Sequence, residues 1–159
     1  MSHADEDRKH AAEYAPGDVL SILYDHHATI RDALDRVKRA SEDDRANRFD
    51  ELKGLLHAHE TAEQEVVRPI TLELMPEVGQ QRTGEEREAD EVLAKLSSLD
   101  VTGDDFDAEF ADFMQAVSDH AEAEEHGEFP VIRQGRDEAQ RTALGESFLD
   151  AFRAAGGAA

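Results

Sequence analysis

Cysteine is absent from the 159 residues. That excludes disulfides, thiolate metal sites and a cysteine nucleophile, so any metal must sit on histidine and carboxylates. Basic residues are scarce: 17 Lys and Arg stand against 38 Asp and Glu, a formal charge of −21. Such a surface repels phosphate backbones and anionic lipid heads, so neither nucleic acid nor a membrane surface is expected as a partner. No apolar run approaches the roughly 18 residues of a membrane span. The opening stretch MSHADEDRKHAAEY lacks the apolar core of a signal peptide, and a soluble cytoplasmic protein is expected. Period-2 alternation, the mark of a half-buried strand, is missing as well. What is present is 39% hydrophobic and 35% charged residues, a mixture suited to amphipathic helices with charged outer faces. The length fits one domain with one core.

Turn signals cut the chain into helical pieces. Asp18, after Pro16-Gly17, is a suitable N-cap for the first, and Ser41-Glu42-Asp43-Asp44 separates it from a second that runs toward Pro69. A looser stretch from Pro76 to Gly84 leads into the third. The break at residues 100–104 precedes a fourth, which runs to about Phe129-Pro130. A shorter fifth helix is expected from Asp137 to Ala154, with Leu144, Phe148 and Phe152 on one face, and residues 156–159 read as a frayed tail. The division is a flexible segment over 1–17, a helical domain over 18–133, and a C-terminal helix and tail over 134–159.

Apolar stripes on these pieces skip particular positions. Leu20, Leu23, Ile30, Leu34 and Val37 keep a 3-4 rhythm whose gap is His27. Phe49, Leu52, Leu56, Val66 and Ile70 leave gaps at His59 and Glu63. Phe106, Phe110, Phe113 and Val117 run into His120 and Glu124, and Glu86 precedes Ala89, Leu93 and Leu96 on one seam. Such seams face the centre of a four-helix bundle, where unpartnered ionisable groups are costly. His27, His59, Glu86 and His120 each lie 13 to 15 residues from their hairpin turns, about 20 Å along the helix. If the hairpins pack side by side, all six meet at one level. The sequence also repeats: His59-x3-Glu63-x5-Pro69-Ile70 recurs as His120-x3-Glu124-x5-Pro130-Val131.

Three imidazoles and three carboxylates at one level suit a dinuclear metal site. His and Glu four apart share a helix face, carboxylates bridge hard cations, and mixed N/O donation points to iron ahead of manganese. Bridging by Glu63 and Glu124 would leave open positions for solvent and a small ligand. The blander readings are specific too. His3-x3-Asp7 matches the same spacing by chance, and a lone seam histidine is commonly a satisfied core residue. Glu86 alone reads as a solvated residue near a frayed helix start, His26 and His57 as structural or surface groups, and His10 and His126 as exposed. Tyr24, one turn before His27, reads as packing. The coincidence of two His-x3-Glu units, a third seam histidine and matched heights favours the metal site.

The segments DHHATIRDAL (25–34), HAHETAEQEVVRP (57–69) and DHAEAEEHGEFP (119–130) resemble the hemerythrin-like HHE cation-binding domain, over about residues 19–133. The resemblance implies an all-α, up-down-up-down four-helix bundle, here with a short additional C-terminal helix, around two iron ions with an oxo or hydroxo bridge. Manganese or zinc are the expected substitutes. It implies His27 rather than His26 as the first-helix ligand, His59 and Glu63 from the second helix, and His120 and Glu124 from the fourth, with Glu60 in reserve. The third helix departs from the family pattern, having no histidine between 60 and 119; register puts Glu86 in that place, with Asp90 one turn on. A carboxylate there favours the ferric state and turns the expectation from oxygen carriage to binding or reducing dioxygen, peroxide or nitric oxide. Non-enzymatic iron or oxygen binding, storage or sensing is the alternative, and a metal-free acidic interaction bundle a third.

Overall fold

A computed structural model describes residues 1–158, and every regular element among the described residues is helical. The elements are α1 (His3–Ala11), α2 (Val19–Arg39), α3 (Glu42–Ala62), α4 (Arg68–Leu74), α5 (Pro76–Ser97), α6 (Asp104–Ala123), α7 (Phe129–Gly135) and α8 (Glu138–Ala154). Two wide π-helical turns, Glu63–Val67 and Glu124–Glu128, join α3 to α4 and α6 to α7. Helix α2 packs along α3 and α5 along α6, while α8 lies against both α2 and α3. No helix among the described residues is long and apolar enough to cross a membrane.

Local chemistry explains the boundaries. The Asp18 carboxylate accepts from the Leu20 N–H at 2.9 Å and starts α2, as its position before the apolar stripe predicts. The wide turns answer to Pro69 and Pro130. A proline inside an α-helix lacks the N–H its turn needs, and its ring meets the carbonyl four residues back. Opening the preceding turn relieves this: the Arg68 N–H donates to the Glu63 carbonyl and the Phe129 N–H to that of Glu124, five residues back in each case.

Several expectations change. The looser stretch at Pro76–Gly84 is instead the N-terminal part of α5, which starts directly after Met75 with Pro76 at its first position. The second and fourth helices do not stop at their prolines but resume as α4 and α7. Residues 1–17 hold α1, opened by a reciprocal cap between Ser2 and Asp5, with Ala4, Asp7 and Ala11 buried. The C-terminal helix, by contrast, keeps its expected bounds, running from Glu138 to Ala154 with Asp137 as its N-cap. Its end is capped: Gly156 takes φ +97° and the Gly157 N–H returns to the Phe152 carbonyl at 2.8 Å. Ala159, the last residue of the expected tail, lies outside the described residues.

The apolar core falls into two halves. One gathers Ile30, Val37, Phe49, Leu52, Phe106 and Phe113; the other gathers Leu20, Leu23, Val67, Phe129, Phe148 and Phe152. Burying each such side chain contributes about 1.5–3 kcal/mol. Between the halves runs a layer of buried ionisable groups.

Candidate metal centre

The polar layer is built where the two wide turns begin. On α3 and its turn, His59 Nε2 lies 3.0 Å from Glu63 Oε2. On α6 and its turn, His120 Nε2 lies 3.2 Å from Glu124 Oε1. From α2, His27 Nε2 reaches the same Glu124 oxygen at 3.4 Å. His27 and His59 have ring centroids 5.7 Å apart. Five of the six expected residues therefore converge as their spacing predicts, from three different helices.

The sixth, Glu86, is also brought in, but to a different partner. It is buried in mid-helix rather than solvated at a frayed start, and its carboxylate is hydrogen-bonded to Arg68 Nη1. The Arg68 guanidinium, itself only 2% exposed, also meets Glu128 Oε2 at 3.0 Å, Glu63 Oε1 at 3.2 Å and Glu124 Oε2 at 3.7 Å. Its fifth contact is the Thr83 hydroxyl at 3.0 Å. Glu63, Glu124 and Glu128 form a cluster with one oxygen from each within 4.8 Å of the others. In a regular α-helix, residues five apart point about 140° away from each other. The wide turn is what lets Glu63 and Arg68 share a face.

Each imidazole is held from behind. Glu125 Oε2 sits 2.6 Å from His27 Nδ1, Glu85 Oε1 sits 2.8 Å from His120 Nδ1, and His26 Nδ1 sits 3.1 Å from His59 Nδ1. Such partners fix which ring nitrogen carries the proton and aim the other inward. Glu125 is in turn 3.9 Å from Arg31, which binds Asp7 at 2.8 Å and Ser118 at 2.7 Å, so α1 braces the His27 side. His26 is thus neither surface nor a ligand but the prop of His59, wedged against Phe148 and Phe152 of α8. Tyr24 packs edge-on to Phe129, in line with a packing role. Asp7 is buried, so the His3-x3-Asp7 match has content at its acidic end only, while His57, His10 and His126 are exposed.

Sequence reasoning passed over Arg68, Glu128, Glu125 and Glu85. Arg68 and Glu128 lie next to the prolines that read as helix ends. A signal was available: Arg68 is a lone cation in the acidic stretch 60–65 to 73, beside the repeated proline.

The electrostatics are those of a site with surplus negative charge. Burial pushes the Glu128 carboxyl up to about 8 and Glu86 to about 7, in each case aided by the Glu63 charge and opposed by Arg68. Glu60, half-buried beside Asp90, is pushed up to about 9 by desolvation and by the Asp90, Glu86 and Glu63 charges. Burial opposes ionisation of Glu63 too, but His59, Arg68 and His120 outweigh it and hold it well below the usual carboxylate range. Desolvation, with the neighbouring His59 and His27, lowers His26 to about 3.

A cation fits these donors. Two ligands at right angles, each about 2.1 Å from one ion, stand about 3.0 Å apart, close to the imidazole–carboxylate separations here. His27 Nε2 and one oxygen of each of Glu86, Glu124 and Glu128 are buried without a hydrogen-bond partner. Beside the imidazoles lies a cavity of about 30 Å³, walled by Ile30, Leu56, Val117 and Ala121 among others.

Fold and site together define a helical protein with a buried cluster of histidine and glutamate side chains, donor types that suit a metal cation. The chain belongs to the hemerythrin family: the model of the hemerythrin HHE cation-binding domain matches residues 18–132. No curated protein and no solved structure matches the chain.

Proposed function

We propose that this protein binds iron on His27, His59, His120, Glu63 and Glu124 and there binds or reduces a small oxidant: dioxygen, peroxide or nitric oxide. The proposal includes an up-down-up-down arrangement of α2, α3, α5 and α6 as the scaffold. One observation carries it: three imidazole Nε2 atoms converge on two buried carboxylates beside a small cavity with apolar walls. Bound iron would supply a redox-active Lewis acid, and manganese or zinc would take the same donors without the same redox reach. The residues of the chain do the rest. Glu125 and Glu85 accept hydrogen bonds from the Nδ1–H groups of His27 and His120, leaving each Nε2 free to donate its lone pair. His59 does the same by donating its Nδ1–H to His26 Nδ1. Ile30, Leu56 and Val117 keep bulk water out, and the cavity admits a molecule of about the size of one water or dioxygen.

Optical spectra of the iron-loaded protein, in air and then with peroxide or nitric oxide, test the reading. New absorption bands with each oxidant are expected. Retained iron with unchanged spectra would favour storage or sensing without oxidant chemistry. No retained iron would overturn the metal site itself.

A further inference from the structure

The two carboxylates at the heart of the centre each face two ways. Glu63 turns Oε2 to His59 and Oε1 to Arg68; Glu124 turns Oε1 to His27 and His120 and Oε2 to Arg68. Two carboxylates with one oxygen each on opposite sides form the frame of a two-cation cluster. On one side stand the three imidazoles. On the other stands the guanidinium, with Glu86 and Glu128 as its further anions. We infer that Arg68 is the second cation of this centre, so that the chain holds one metal ion, on the histidine side, in place of the two that the family resemblance implies.

Three observations support this beyond position. Arg68 is fixed rather than loosely parked: it is 2% exposed, and Nε, Nη1 and Nη2 all have partners among Glu128, Glu86, Thr83 and Glu63. The arginine side offers no imidazole, since all three histidines of the layer approach the opposite oxygens. The charges also match: taken as fully ionised, four carboxylates around one guanidinium leave three negative charges, which a single ferric ion balances. A second ion would have to displace a desolvated guanidinium, which is always charged, from four partners. Glu86 accordingly belongs to Arg68 and not to the metal.

This inference rests on the iron-binding reading above, and metal counting separates the two. The purified protein is loaded anaerobically with ferrous iron, desalted and assayed for iron per chain, then oxidised and examined by electron paramagnetic resonance. One iron per chain with the signal of an isolated high-spin ferric ion is expected. Arg68→Ala should raise the count to two and silence that signal, because two ferric ions bridged by carboxylates couple magnetically. Two irons in the unaltered protein would overturn the inference and leave the iron-binding reading standing. No iron would overturn both. Should Arg68→Ala not fold, Glu86→Gln, which removes one charged partner of Arg68 and no metal ligand, still decides. It should keep one iron, and loss of that iron would make Glu86 a ligand and overturn the assignment.

Discussion

Arg68 and Phe129 hold the same place in the two copies of the helical repeat, each five residues after a buried glutamate and one before a proline. Both donate their backbone N–H to that glutamate's carbonyl and close the wide turn in the same way. Their side chains then diverge. Arg68 meets four carboxylates, whereas the Phe129 ring stacks on His27 with centroids 5.4 Å apart. One copy of the repeat supplies a charge and the other a wall, and the asymmetry of the centre follows from that single difference.

Removing the charge should be costly in the metal-free protein. Arg68→Ala leaves Glu63, Glu86 and Glu128 buried without their cation, and loss of one member of a buried ion network costs about 3–5 kcal/mol. Urea unfolding at pH 7.5 without metal should show that loss. A change under about 1 kcal/mol would mean that water reaches these carboxylates and takes the place of the guanidinium.

The metal-free protein should lose stability as pH rises from about 6.5 to 9. Glu86, Glu128 and Glu60 have folded values raised to about 7, 8 and 9, so in this window the folded state holds more protons than the unfolded one. Their contribution is greatest below the ordinary carboxylate value and disappears as pH passes the raised one. The lowered His26 acts in the opposite sense, but only below about 6.5, where the unfolded histidine becomes charged. Thermal unfolding at pH 6.5 and 9 checks this, and an equal or higher midpoint at pH 9 would count against the burial of these carboxyls.

The groups behind the imidazoles should set metal affinity. Glu125→Ala removes the acceptor 2.6 Å from His27 Nδ1, and such losses typically weaken a metal site 10- to 100-fold. Competition with a chromophoric chelator measures the change. Glu122→Ala, at the end of α6 and facing His3 rather than the three imidazoles of the centre, should leave affinity unaltered, and equal effects from both would point to a general loss of negative charge.

A pair of glycines tests the seat of α8. A Cβ on Gly145 would lie 1.9 Å from the Gly17 carbonyl oxygen, so Gly145→Ala must push the helix off its turn, at about 1–3 kcal/mol. Gly54, in the middle of α3, has nothing within 4 Å, and Gly54→Ala should add about 0.5–1 kcal/mol. Opposite shifts in melting temperature are expected, and a stabilised Gly145→Ala would show that α8 is not held where the structure has it.

The sequence made the histidine side of the centre legible because it interrupts stripes of period 3.6: His27, His59 and His120 stand at gaps between residues such as Leu23 and Ile30 that are buried. The arginine side was hidden because that period breaks there. Past Glu63 the backbone winds with an i to i+5 bond, so Arg68 falls on a face that a regular helical wheel assigns elsewhere, while Glu128, four residues after Glu124 and so on its face, stands beside the proline that reads as the helix end. Prolines read as ends concealed the continuation into α4 and α7. The α1 segment was missed for a plainer reason: its apolar content is low, and its attachment depends on Asp7 meeting Arg31 across 24 residues of sequence.

An extra residue wound into a helix is ordinarily free to wander, since the wide turn can shift by one position at little cost while the ends of the helix stay still. Here the prolines prevent it. Were the bulge to slide toward the C-terminus, Pro69 or Pro130 would enter a regular turn and press its ring on a carbonyl, at about 3 kcal/mol. The bulge is pinned in phase with the histidine one turn before it. Two residues with no donor or charge to offer the centre thereby keep its glutamates and its arginine on one face.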